Sequence, residues 1–158
     1  MGGAVIVMRR VETDERYAGE VPLDLFKGED FRRQAYLDRV AELILQGIDF
    51  LNISRTESLH MCTGYILSKA RVELESRGFK VKPTRITGET QRFAEMEFVR
   101  SLVLLGVGDE ATISRMRSFS ALLRWVMEDL PGREQFVKTG WRSWKRLREG
   151  GRPIGREA

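Results

Sequence analysis

The sequence predicts a predominantly helical α+β domain with two or three short strands in its N-terminal half. Three long stretches, at 54–79, 89–105 and 109–130, place apolar residues three and four positions apart, which is the period of an amphipathic helix. A short β-branched run at 4–8 indicates a strand. The helical stretches add up to roughly two thirds of the chain, about twice the usual share in a soluble domain. A three-layer α/β arrangement is the alternative, because residues 29–88 also fit the order helix, strand, helix, strand.

Length and composition favour one soluble globular domain, which we assign to residues 1–150, followed by a frayed tail at 151–158. The chain is 42% apolar and 32% charged. No apolar run reaches the ~20 residues that span a bilayer, and residues 1–8 are too short for a signal peptide. We therefore expect a cytoplasmic protein with no membrane partner. A single Asn, four Gln and abundant charges resemble a thermophilic composition.

Cysteine and histidine each occur once, as Cys62 and His60. A lone cysteine excludes a disulfide within the chain and a cysteine-based metal site. A zinc site would need carboxylates for its remaining ligands, and the sequence offers none at a suitable spacing. We therefore expect no cofactor and no bound metal.

The N-terminal part predicts a strand, an irregular arm and a helix. After the strand, charges, Gly19 and Pro22 interrupt any period, so we interpret residues 9–28 as an irregular arm. The helical period returns at 29–47, where Gly47 is a suitable stop. Residues 48–53 are either a buried strand or an apolar connection, because periodicity does not separate the two at this length.

The stretch at 54–79 carries the clearest start and stop signals. Ser54 and Glu57 form a capping box, which predicts a helix from about Arg55. Gly78 supplies the left-handed residue that ends such helices. The following segment holds Pro83, so any strand there belongs at a sheet edge, and we expect it to pair with the strand at 4–8.

Three further helices complete the chain. The first, at 89–105, closes at two glycines, and the second begins at the cap residue Asp109 and runs to 130. Pro131 and Gly132 then form a corner. The last helix is predicted at 133–148 and ends at glycines.

Positive charge is concentrated at the C-terminal end. Residues 131–158 hold eight Lys or Arg and three acids, an excess of five, whereas the whole chain carries +4. Everything before residue 131 therefore nets minus one. A basic segment of this kind indicates a polyanionic partner.

An aromatic stripe crosses the same segment. If the stripe serves packing, Trp141 and Trp144 dock the last helix on the core. If it serves binding, the cations neutralise phosphates and an exposed tryptophan ring stacks on a base. We predict binding of DNA or RNA, with a patch that widens if the last two predicted helices are antiparallel neighbours. The predicted contact residues are Lys138, Trp141, Arg142, Trp144, Lys145, Arg146 and Arg148, extended by Arg115, Arg117 and Arg124.

A nuclease is the first alternative function. The run R-T-E-S-L-H, from Arg55 through Glu57 to His60, resembles the loose Arg, four to six residues, His pattern of the HEPN ribonucleases. That resemblance implies a helical, metal-independent site in which His60 moves a proton and Arg55 holds the scissile phosphate. Thr56 departs from the family, whose second residue is amide-like or charged. A metal-dependent nuclease would instead use carboxylates such as Glu89, Glu95 and Glu97.

A helical adaptor is the second alternative. In that case Trp141 and Trp144 anchor a protein partner, because buried aromatic side chains dominate many interfaces. A homo-oligomer is equally compatible with the sequence.

Overall fold

The structure is a computed structural model that describes residues 1–116 and 118–149. Helices make up 56% of it, with two sheets of two strands each, and the predicted helical α+β class is confirmed. The four strands are β1 (Ala4–Arg9), β2 (Arg16–Val21), β3 (Ser58–Met61) and β4 (Lys80–Pro83). The helices are α1 (Gly28–Arg32), α2 (Ala35–Phe50), α3 (Ser68–Ser76), α4 (Glu89–Leu104), α5 (Glu110–Arg115), α6 (Phe119–Glu128), α7 (Leu130–Arg133) and α8 (Arg142–Arg148).

The prediction of an irregular arm at 9–28 is wrong for residues 16–21, which pair with β1. Strands β1 and β2 form an antiparallel hairpin with Ala4 opposite Val21 and Arg9 opposite Arg16. The turn closes through the Arg10 amide, which donates to the Glu15 carbonyl at 2.9 Å. Charges at the exposed positions of β2 hid its alternation of inner and outer residues from the sequence pattern.

The helix predicted at 29–47 is two helices, and the second extends three residues beyond the expected stop at Gly47. Gln34 has a φ of 59°, which separates α1 from α2. Gly47 does not stop α2; a Cβ there would lie 2.5 Å from the Met8 sulfur and 2.7 Å from Cδ1 of Tyr17. The glycine therefore lets the hairpin approach the helix. Residues 48–53 are the end of α2 and a turn, not a strand.

The helix predicted from Arg55 is also wrong at its start. The Ser54 amide donates to Oε1 of Glu57 at 2.7 Å, as in a capping box, but a turn and β3 follow. Strand β3 pairs in parallel with β4, so tertiary pairing overrides the helical period here. Only α3 forms, and it ends as predicted, with Gly78 at a φ of 84°.

Two separate sheets replace the predicted pairing of the first and last strands. Strand β1 pairs with β2 and strand β4 with β3, so the described residues contain no continuous sheet of the three-layer kind. Helix α2 lies beneath the hairpin and provides eight buried residues, including Val40 and Ile44. These join Ile6, Val21 and Leu74 in the main core.

The C-terminal half is built on smaller clusters. Helix α4 forms as predicted, and Asp109 caps α5 by accepting the Thr112 amide at 2.7 Å. The long helix predicted at 109–130 is not continuous, because α5 ends at Arg115 and Ser118 caps a new helix, α6. The last helix begins at 142, not 133. The tail predicted at 151–158 lies outside the described residues. Within the described residues, no helix is long and apolar enough to cross a bilayer.

Candidate functional site

Helix α8 is held by one buried aromatic ring. Trp144 is 7% exposed and packs with Val126 of α6 and Val137. Its Nε1 donates to Oε1 of Glu134 at 2.9 Å, so the polar edge of the ring has a partner. For this tryptophan the packing interpretation is therefore correct.

The cations of α8 lie on the opposite side of the helix. With 3.6 residues per turn, Arg142, Lys145 and Arg146 fall on the arc that faces away from Trp144 and Leu147. All three side chains are exposed. In the described part of the chain, the ion pairs of α8 involve Arg148 alone, which meets Glu134 at 3.5 Å. Three neighbouring positive charges thus face solvent together.

Trp141 stands at the N-terminal end of this face. Its ring is 45% exposed and meets the Phe31 ring edge-on, with centroids 4.8 Å apart. The preceding residue, Gly140, donates its amide to the Phe26 carbonyl at 3.0 Å. The start of α8 is therefore fixed on the N-terminal half, with one side of the indole in solvent.

Lys138 does not belong to the solvent-facing cations. Its Nζ lies 4.3 Å from the centroid of the Phe26 ring, and the side chain is half-buried. Burial lowers the pKa of the Lys138 ammonium, as expected where the charged form is desolvated. Its place in the structure is a packing position beside an aromatic face.

The structure does not bring the remaining predicted cations into one face with α8. Arg124 lies on the side of α6 opposite to Val126, while the α8 cations lie opposite to Trp144 in the same cluster. Arg115 belongs to α5, which packs on a different cluster around Ile113. Arg117 lies outside the described residues.

The segment that resembles the HEPN pattern is a turn and a strand, not a helix. His60 lies on β3, and its Nδ1 is 3.1 Å from Oγ1 of Thr84. Glu57 is bonded to Arg10, and the Ser54 amide and the Arg10 guanidinium hold the pKa of its carboxyl below the usual value. Arg55 lies over the Phe79 ring at 6.0 Å. The helical setting that the resemblance implies is absent from the described residues.

The carboxylates of α4 are occupied by neighbours on their own helix. The partners are Arg92 for Glu89, Gln91 for Glu95 at 2.9 Å, and Arg100 for Glu97 at 3.8 Å. Across residues 1–116 and 118–149, no three His, Cys, Asp or Glu side chains gather in a way that could hold a metal ion. Glu89 and Glu95 are exposed surface charges of a helix, and the half-buried Glu97 faces its own helical neighbour Arg100.

Two residues that shape the α8 face had no signal in the sequence. Glu134 fixes Trp144 from a short helical turn at Glu134–Phe136, and Phe31 supports Trp141 from more than a hundred residues away. Neither contact follows a helical or strand period. Only the folded chain brings these residues together.

Comparison with protein-family models, curated proteins and solved structures finds no match to this chain. Its function is therefore inferred from the residues and their geometry.

Proposed function

We propose that the chain binds single-stranded nucleic acid, DNA or RNA, through the exposed side of α8 and the ring of Trp141. The observation that carries the proposal is the grouping of Arg142, Lys145 and Arg146 on one arc beside a half-exposed indole. Cations that follow a backbone and an aromatic ring that accepts a base are the two components of sequence-tolerant single-strand binding. The cytoplasmic location expected from the sequence belongs to the same proposal.

The size of the face favours a single strand over a duplex. Helix α8 has seven residues, which gives a length of about 10 Å. Because Arg124 lies on the far side of the shared cluster, α6 adds no second row of cations to the face within the described residues. A site of this size contacts a few consecutive phosphates of one strand.

The test compares two variants that lose the same charge. Replacing Arg142, Lys145 and Arg146 together by Gln is expected to weaken binding of a labelled oligothymidine or oligouridine by about tenfold or more at low salt. Three phosphate contacts correspond to a slope of about −2 in a plot of log affinity against log salt, and the variant should lose most of it. Fluorescence anisotropy at several salt concentrations measures both quantities.

The matched control replaces three exposed arginines at the end of α3 and on α4, namely Arg77, Arg92 and Arg100, by Gln. Each is ion-paired with a glutamate three or four residues away, and none belongs to the residues that contact Trp141 or Trp144. We expect their loss to leave binding within about twofold, since paired exposed charges contribute little. Equal losses in the two triple variants would show a non-specific charge effect, and no loss in either would remove the proposal.

Trp141→Ala separates stacking from charge. A stacked base contributes about 1–3 kcal/mol by alanine substitution, so affinity should fall while the salt slope stays as in the parent chain. Trp141→Phe should restore most of the affinity, because any aromatic face accepts a base. Unchanged affinity in Trp141→Ala would leave only the electrostatic part of the proposal.

A further inference from the structure

A groove of about 1360 Å³ separates the two sheets. Consecutive residues from Val5 to Arg10, on and just after β1, line one wall, and consecutive residues from Ser58 to Thr63, on and after β3, line the other. Side chains of a strand alternate between its two faces, so a run of neighbours lines a cavity only along the edge of the strand. The groove therefore lies between two strand edges.

The backbone groups on the β1 edge point into the groove. The Arg10 amide bonds to Glu15 at 2.9 Å, and bonded positions alternate in an antiparallel pair, so Ile6 and Met8 also bond to β2. The N–H and C=O groups of Val5 and Val7 then point away from β2. They face the groove.

The same reasoning applies to the opposite wall. The Met61 carbonyl accepts the Thr84 amide at 2.9 Å, so Leu59 and Met61 bond to β4, and Ser58 and His60 direct their backbone groups away from it. Within the described residues, β1 pairs only with β2 and β3 only with β4. Two unpaired edges thus border one groove.

The two sides of the groove differ in polarity. Its floor is apolar and includes the half-buried side chains of Ile53, Ile66 and Leu67, which pack on the main core. The opposite side carries polar groups, among them Thr84 and the exposed Arg85. A strand lying in the groove would need apolar residues at every second position and polar residues between them.

One end of the groove is held at a fixed width. The guanidinium of Arg10, at the end of β1, bonds to Glu57 and donates to the Leu51 carbonyl at 2.8 Å and the Asn52 carbonyl at 3.3 Å. These contacts join β1 to the turn that precedes β3. The two strand edges are therefore kept apart by the core beneath the groove and by the Arg10 contacts at this end.

The outer edge of the second sheet is protected, whereas the inner edges are not. Strand β4 carries Lys80 and Lys82 and ends at Pro83, which are the residues that prevent an edge from accepting another strand. The inner edge of β1 reads Val5, Ile6, Val7, Met8 before the charged Arg9, and β3 reads Ser58, Leu59, His60, Met61. Neither of these two facing stretches carries a lysine or a proline.

We propose that this groove binds an extended segment of a partner protein as an additional strand, which would join the two sheets in the order β2, β1, partner, β3, β4. Main-chain hydrogen bonds to both edges supply affinity, and the alternation of apolar and polar side chains supplies specificity. An acidic residue on the polar side suits Arg85, which makes no ion pair within the described residues. The walls accommodate about five residues of the partner, or roughly 16 Å of extended chain.

The probe is a labelled peptide in which Val or Ile alternates with Thr or Glu, tested by fluorescence anisotropy. Its control has the same sequence with every second backbone nitrogen methylated, which removes hydrogen-bond donors along one edge and keeps all side chains. We expect the first peptide to bind and the second to lose at least about tenfold in affinity. Absence of binding by the unmodified peptide at millimolar concentration would overturn the proposal.

Two proline variants locate the site. Val7 and Ala18 are opposite each other in the hairpin, and both direct their amides away from it, Val7 into the groove and Ala18 to the outer edge. Val7→Pro should abolish peptide binding, and Ala18→Pro should keep it. Equal binding by the two variants would contradict the proposal.

Hydrogen exchange of the unaltered chain provides a readout that needs no variant. Bound peptide should slow exchange at the amides of Val5, Val7, Ser58 and His60. Binding without this protection would place the peptide elsewhere. Protection that increases with protein concentration in the absence of peptide would assign the groove to a second copy of the chain and overturn the partner-peptide proposal.

Discussion

The groove and the exposed side of α8 are positioned by very different amounts of buried structure. The groove walls rest on the main core, with thirteen buried residues, whereas α8 rests on a cluster with three. The shape of the groove is therefore set by backbone and core packing, and that of the α8 face by a few side chains on a small support. Changes in the core should affect the first region, and changes of surface charge the second.

The largest expected effect is on the main core. Leu74 is fully buried, so Leu74→Ala should lower the free energy of unfolding by about 2–5 kcal/mol. Val126→Ala in the small cluster removes two carbon atoms where Leu74→Ala removes three, and should cost about 2 kcal/mol or less. Urea denaturation of both variants measures the difference. A larger loss for Val126→Ala would reverse our ranking of the two regions.

A smaller effect is expected at the contact between the hairpin and α2. Gly47→Ala places a methyl group 2.5 Å from the Met8 sulfur, and such overpacking costs about 1–3 kcal/mol. The control is Gly64→Ala, where the nearest atom is the Cys62 sulfur at 3.8 Å and φ is −56°. That variant should stay within about 0.5 kcal/mol of the parent chain. Equal stability of the two variants would show that the hairpin can shift away from the helix.

The smallest expected effect concerns pH. The Ser54 amide and the Arg10 guanidinium hold the pKa of the Glu57 carboxyl below its usual value, so the charged carboxylate stabilises the folded chain. This contribution is complete above the unfolded pKa and is lost as pH falls through the lower folded pKa. Thermal melts should therefore show a shallower loss of stability in acid for Glu57→Gln than for the parent chain.

The matched control is Asp109→Asn at the cap of α5, because Thr112 lowers the pKa of that carboxyl in the same way. Asp109→Asn should also flatten the acid response but leave the groove unchanged. Glu57→Gln should weaken peptide binding, because it removes the partner of Arg10 at one end of the groove. If the two substitutions changed peptide affinity by the same factor, the proposed link between Arg10, Glu57 and the groove would be wrong.

Local signals in the sequence predicted the ends of elements better than their identity. Gly78 and Asp109 mark the expected helix boundaries, because a left-handed residue and a side-chain cap act within one turn. Strand β3 was missed, because its partner β4 lies about twenty residues further on and the intervening pattern also fits a helix. Gly47 resembles a helix stop in the sequence, yet in the structure it lies within α2 and leaves room for Met8 and Tyr17 of the hairpin.

For the candidate site, too, the sequence predicted one part and not the other. The concentration of cations at the C-terminal end is a property of composition and could be read directly. The sequence could not separate Trp144 from Trp141, because both fall on one helical stripe. Their different exposure depends on Glu134 and Phe31, which reach them only through tertiary contacts.

The lysines and the proline of β4 also determine how far any assembly on the groove can extend. A sheet edge of this kind disfavours pairing with a further strand. A segment bound in the groove would therefore not extend the assembly at the β4 side. Fibre growth by repeated addition at the β4 side is disfavoured by the chain itself.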